Sequence, residues 1–177
     1  MEKKQIRLIA LDLDGTLLDS QKRLSRRNYE ALARAAERGI EIVPTTGRFY
    51  GGMPEEIRAL PFLHYVIGIN GAEVRELASG EVLYQADIPW RDTLALMEYL
   101  DGKQCYYDCY AGNSGFMTAE MFENIETHLK DPIYRGMIVR TRRPVPELKA
   151  YIREREMNVQ KVQAYPGEPA LRLALLQ

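Results

Sequence analysis

Residues Asp12-Leu13-Asp14-Gly15-Thr16 set two carboxylates two positions apart, followed at once by a glycine and a hydroxyl. Neighbouring carboxylates repel each other unless a cation lies between them or one takes up a proton, and hard oxygen ligands of this kind suit Mg²⁺. Gly15 lets the backbone turn sharply behind the pair. Two further polar clusters share this texture, Thr45-Thr46-Gly47-Arg48 and Asn70-Gly71. The two cysteines, Cys105 and Cys109, form no disulfide framework, which predicts a reducing cytoplasmic setting. His64 and His128 lack ligand partners at metal spacing and read as structural or surface residues.

The elements that must position these residues follow from apolar periodicity. Residues 6–13 form a short apolar run that predicts a strand buried on both faces. Ser25 precedes a helical face made by Tyr29, Leu32, Ala33 and Ala36, and Gly39 closes it. Residues 40–44 predict a second strand, residues 54–60 a short helix stopped by Pro61, and residues 65–69 a third strand. Strand, helix, strand, helix, strand is the signature of a parallel, doubly wound α/β sheet with right-handed crossovers. Ligands of such sheets bind beyond the carboxyl ends of the strands, where all three polar clusters fall. They are therefore expected to form one site.

Beyond Ala72 the pattern changes. Ser79-Gly80 predicts a hairpin between residues 73–77 and 82–87. A mixed α+β region follows: an amphipathic stretch with Leu94, Met97, Tyr99 and Leu100, a strand over 104–110, a turn over 112–115, and a helix over 119–129. Pro144 and Pro146 open a predicted helix over 145–155, a strand spans 158–164, and Glu168 begins a last helix. Cys105, Cys109 and Tyr107 are expected on one strand face, with Tyr106, Asp108 and Tyr110 on the other. That stripe reads as a packed sheet, with a substrate-facing role for Asp108 or a tyrosine as the functional alternative. Arg135, Arg140, Arg142 and Arg143 read as a solvated basic face.

Asp-x-Asp-Gly-Thr after an apolar strand, Thr46-Gly47-Arg48 after a second, and Asn70-Gly71-Ala72 after a third resemble, in order and context, the motifs of haloacid dehalogenase-type hydrolases. The third element is similar to that of the Cof-like subfamily, whose cap is inserted after this strand. The resemblance implies a Rossmann-like core over residues 1–87 carrying an inserted α+β cap over 88–177. It implies Asp12 as nucleophile toward phosphorus and Asp14 as acid and base, both also serving Mg²⁺. It places the amides of Leu13 and Gly47 and the Thr46 hydroxyl on phosphoryl oxygens, and Arg48 and Asn70 on phosphate or the substrate's polar body. Residues 17–24 would form a flap. The expected activity is Mg²⁺-dependent hydrolysis of a small phosphorylated metabolite such as a sugar phosphate.

Glycosyltransferase metal motifs and response-regulator receivers also carry paired acids, but neither continues into Gly-Thr and a cap. Thr46 and Arg48 could be a turn with a surface cation, and Asn-Gly is a common turn pair in its own right. The family's later lysine and its Gly-Asp-x-x-Asn-Asp-like motif have no counterpart here: residues 140–177 hold only Lys149 and Lys161, and no aspartate follows Asp131. The sequence therefore reads as a C-terminally truncated enzyme of little activity alone. The competing class is a non-catalytic phosphate- or metal-binding fragment, or an interaction protein completed by a second chain. Without its later strands, residues 6–11 would be a bare apolar edge, which predicts self-association there. A net charge of −1 offers nucleic acid or a membrane surface no electrostatic attraction, and the N-terminal apolar run is too short to span a bilayer.

Overall fold

The computed structural model describes residues 5–129, 131–166 and 169–175. Expectations that fall on Met1–Lys4, Glu168, Leu176 and Gln177, and on the side chain of His128, lie outside the described residues. The chain divides into two compact units, Met1–Ala86 and Asp87–Gln177.

The first unit contains β1 (Leu8–Asp12), α1 (Arg26–Ala36), β2 (Glu41–Thr45), α2 (Glu55–Arg58), β3 (Tyr65–Gly68), β4 (Glu73–Glu76) and β5 (Val82–Gln85). Its sheet runs β1-β2-β3-β4-β5, with β1, β2 and β3 parallel and the β4–β5 hairpin antiparallel. Helix α1 starts where the Ser25 hydroxyl accepts the Asn28 N–H at 3.2 Å, and the chain leaves it through Gly39 at φ +75°. Leu32, Ala35 and Ala36 pack with Ile9 and Leu11 against a core containing Ile42, Ile57 and Val66. The register sets Asp12 beside Thr45 and Thr45 beside Ile67, so the ends of the parallel strands are level.

Burial of β1 departs from expectation. Ile9 and Leu11 are half-buried, whereas Leu8, Ala10 and Asp12 are exposed, Leu8 at 53% and neighbouring Ile6 at 66%. Among the described residues β1 pairs only with β2 and forms the sheet edge, so its far hydrogen-bonding edge is open.

The second unit contains α3 (Trp90–Asp101), β6 (Tyr106–Ala111), β7 (Ser114–Thr118), α4 (Ala119–Glu123), α5 (Ile125–His128), α6 (Pro132–Thr141), β8 (Arg142–Val145), α7 (Leu148–Glu154), β9 (Lys161–Tyr165) and α8 (Pro169–Ala174). The sheet order is β8-β7-β6-β9. Cys109, Ala111 and Phe116 pack with Leu94, Met97, Leu148 and Ile152, while Met117 and Tyr165 pack with Met121, Ile125 and Ile138.

The second unit differs from expectation at several places. The turn expected over 112–115 is only Gly112-Asn113, both at positive φ, a two-residue hairpin loop that lets β7 begin at Ser114. The helix expected over 119–129 breaks at Asn124. Pro144 opens no helix: it lies within edge strand β8, where a missing N–H is tolerated, and α7 begins later. The basic face also fails at Arg142, which is buried against Asp108 at 2.6 Å, whereas Arg140 and Arg143 are exposed. Arg142 reaches Asp108 because Gly115 has no side chain; a Cβ there would stand 2.3 Å from Arg142 Cδ. No helix among the described residues is long and apolar enough to cross a membrane.

Candidate active site

Asp12 is the last residue of β1, and the chain turns immediately behind it. Leu13 is fully buried, Gly15 adopts φ +83°, and Leu17 and Leu18 fold back into the core. The Leu17 N–H donates to the Asp12 carbonyl at 3.2 Å and the Leu18 N–H to the Leu13 carbonyl at 2.9 Å. Buried leucines before and after the pair thus pin the backbone, while Asp12 stays exposed and Asp14 partly so. Burial of Leu13 at the start of the turn leaves its two acidic neighbours on the solvent side.

The carboxylates have different surroundings. Asp12 Oδ2 accepts from the Thr16 hydroxyl at a long 3.4 Å. Asp14 receives both arms of Arg48, Nε at 2.8 Å and Nη2 at 2.7 Å, and the Lys22 ammonium at 2.8 Å. Partial burial alone would raise the Asp14 pKa, but the hydrogen bonds and charges of Arg48 and Lys22 outweigh it and hold the carboxyl below its usual range.

Thr46, Gly47 and Arg48 follow β2, and their geometry is locked to the end of β3. Thr46 is buried; its N–H donates to the Ile67 carbonyl at 2.9 Å, and its hydroxyl accepts from the Arg48 N–H at 3.3 Å. The Ile69 N–H donates to the Arg48 carbonyl at 2.9 Å and the Asn70 N–H to the Thr46 carbonyl at 3.0 Å. Ile69 and Asn70 both take left-handed backbone conformations, φ 52° and 57°, an uncommon arrangement that these bonds hold in place. Gly68 permits the close approach, since a Cβ there would lie 3.1 Å from the Arg48 carbonyl oxygen. Asp12, Leu13, Asp14, Thr46, Gly47, Arg48 and Asn70 therefore occupy the ends of adjoining strands, with Asp14 joined directly to Arg48 and Asn70 joined through its backbone to Thr46.

Lys22 escaped the sequence reading because it belongs to no motif spacing. Its signal was the local Asp19-Ser20-Gln21-Lys22-Arg23 turn, whose Asp19 side chain accepts two backbone N–H groups. Among the described residues, no three His, Cys, Asp or Glu gather as a metal cage. Asp12 presents carboxylate oxygens and Asp14 a backbone carbonyl, its own carboxylate being held by Arg48 and Lys22, and Mg²⁺ sites commonly use one or two carboxylates together with water and substrate phosphate, so this donor set fits Mg²⁺. His64 is exposed, with Nδ1 3.0 Å from Glu41.

The chain resembles Phosphatase YwpJ of Bacillus subtilis, with 32% identity over 62% of this chain and 38% of the relative. It is 38% identical to the pyridoxal phosphate phosphatase YbhA of Escherichia coli over 54% of this chain and 35% of that protein. A solved haloacid dehalogenase-like hydrolase from B. subtilis superposes with a TM-score of 0.78 at 21% identity, covering 96% of this chain and 65% of that one, and shows the shared α/β fold. The matched segments thus span little more than a third of these curated relatives. The family model for haloacid dehalogenase-like hydrolases matches residues 9–165, and the chain belongs to that family.

Proposed function

We propose that this site hydrolyses a small phosphomonoester, of the sugar-phosphate kind, through an aspartyl-phosphate formed on Asp12, with little turnover from these 177 residues alone, which carry no counterpart of the family's later lysine and acidic motif. The observation that carries the reading is the unequal treatment of the two carboxylates. Asp14 is clamped by two cations, while Asp12, exposed at the strand tip, has among the described residues only one long side-chain hydroxyl contact and is available to attack. An Asp12 oxygen would form a bond to phosphorus as the ester P–O bond breaks, and Asp14 would give the leaving alkoxide a proton. Asp14 would then take a proton from water, whose oxygen attacks phosphorus, releasing inorganic phosphate and restoring Asp12. Arg48 and Lys22 hold Asp14 ionised in the free site, so it takes a proton from solvent as the incoming anion draws positive charge from it, and only then serves as the acid. The Leu13 and Gly47 amides and the Thr46 hydroxyl serve as fixed dipoles for the phosphoryl oxygens, and Arg48 and Asn70 hold phosphate or the rest of the substrate. Asp12 and Asp14 would hold Mg²⁺, which when bound supplies neutralisation of phosphoryl charge.

The reading is tested by incubating the chain with 4-nitrophenyl phosphate and MgCl₂, then following nitrophenol release and trapping the acyl phosphate for mass spectrometry. Asp12→Asn should abolish the trapped adduct and lower the rate about a thousandfold or more. An adduct or rate that survives the substitution rules out Asp12 as nucleophile.

A second, non-catalytic reading draws on the two cations already seated on Asp14 and on the absence of a three-acid cluster among the described residues. It predicts phosphate binding without turnover, and measurable turnover dismisses it. The exposed β1 edge, with Ile6 and Leu8 on the open side, supports self-association through that strand, which a monomer by light scattering would refute. Cys105 and Cys109, free and buried, are compatible with a reducing cytoplasm.

A further inference from the structure

The turn after the buried leucines carries a cation to the candidate site. Asp19 organises it: Oδ1 accepts the N–H groups of Gln21 at 2.8 Å and Arg23 at 2.9 Å, and the Asp19 N–H donates to the Arg23 carbonyl at 3.0 Å. The Lys22 N–H donates to the Asp19 carbonyl at 2.9 Å, with Lys22 at φ +63°. The left-handed region disfavours a residue with a Cβ, so the surrounding bonds impose this conformation. The base of the turn is fixed as well. Leu18 bridges Leu24, the Leu24 N–H donates to Glu56 at 2.9 Å, and Asn28 donates to the Leu17 carbonyl at 2.9 Å. From this mount the Lys22 ammonium reaches Asp14 Oδ1, the oxygen that Arg48 also holds.

The two cations are unequally held. Arg48 grips Asp14 with two nitrogens, donates a third hydrogen bond to the Gly52 carbonyl at 3.2 Å, and has a side chain only 14% exposed. The Lys22 ammonium has its single described partner in Asp14, and the side chain is 39% exposed and ends in a compact charge on a flexible stem. A phosphoryl dianion arriving at Asp12 meets a carboxylate of like charge and needs a cation beside it. Lys22 is the one that can swing without dismantling a bidentate pair.

We propose that Lys22 is a phosphate-binding residue whose ammonium leaves Asp14 Oδ1 for a phosphoryl oxygen when the anion docks against Asp12. This inference rests on the phosphatase reading, and it names a cation on residues 17–24 as part of the anion site. The test is titration calorimetry with orthovanadate, in MgCl₂, on the wild-type chain, Lys22→Gly and Lys22→Arg, with thermal unfolding of each. Glycine removes the charge while tolerating the positive φ, so Lys22→Gly should unfold no earlier than wild type yet bind vanadate about tenfold more weakly. Lys22→Arg should bind within about threefold of wild type. Equal affinity of Lys22→Gly and wild type overturns the inference and leaves the phosphatase reading standing. Equal weakening in both variants assigns the effect to the turn rather than to charge and also overturns it. A wild-type chain that binds no vanadate overturns the phosphatase reading and this inference with it.

Discussion

Asp14–Arg48 in the first unit and Asp108–Arg142 in the second are the same chemical pair in opposite circumstances. Both are close, with Arg48 at 2.8 and 2.7 Å and Arg142 at 2.6 Å. The first lies partly in water, whereas the second has side chains 0% and 2% exposed. Around Asp108 Oδ2 the protein replaces water with polar side chains: Tyr165 donates to it at 2.5 Å, while Arg142 donates to the Tyr110 hydroxyl at 2.6 Å and lies 4.5 Å from the centre of that ring; Oδ1 is buried with no hydrogen-bond partner among the described residues. Burial pushes Asp108 up, with Arg142 and Tyr165 pulling it back, while the cations on Asp14 prevail over its partial burial. A carboxylate–guanidinium pair excluded from water is a structural tie. Partly in water, the same pair keeps its carboxylate charged and within reach of solvent and of a second cation, Lys22.

Breaking each pair should show that difference most strongly. Arg142→Met leaves a buried carboxylate without its cation and should cost about 3–5 kcal/mol in urea denaturation. Arg48→Met should cost about 1 kcal/mol or less while weakening vanadate binding. Similar stability losses from both would erase the distinction.

Gly115→Ala should come next, at about 1–3 kcal/mol, because the new methyl meets the Arg142 stem and forces it off Asp108. A thermal scan that does not move would show that Arg142 reaches Asp108 by another path.

A smaller effect concerns pH. The Asp14 pKa is lowered by folding, so its contribution to stability is fully present above the ordinary value of 3.8 and is lost as pH falls through the folded value. The stability gap between wild type and Asp14→Asn should therefore narrow as pH drops from 6 to 3. A gap that does not change would mean the cations do not favour the charged form.

The smallest expected signal comes from the thiols. Cys109 is buried, and that burial, with the Asp108 charge beside it, raises its pKa. It should resist iodoacetamide at pH 8 until urea is added. Rapid native labelling would mean that the sheet beside Asp108 opens readily.

Much of the first unit was legible because its signals are local. An apolar run ending in Asp-x-Asp-Gly-Thr, a Ser25 cap, the Gly39 exit and an Asn-Gly turn each act through their own few residues, and strand–helix alternation then limits the topology. The second unit was less legible where local signals conflict with long-range pairing. Pro144 looked like a helix start until β7 supplied a parallel partner. Arg142 looked solvated until Gly115 opened a path to Asp108.

The sequence by itself determined the order of the elements and the turn that sets Asp12 and Asp14 at the end of the first strand, since an apolar run ending in acids and the freedom of Gly15 are properties of neighbouring residues. Only the tertiary structure decided which cation each acid meets. Arg48 is 34 positions from Asp14, and Arg142 is 34 positions from Asp108. Charge alone does not select among the chain's 24 lysines and arginines. Strand register and the space left by a glycine bring a particular one within hydrogen-bond range, and the surrounding packing decides whether water comes with it.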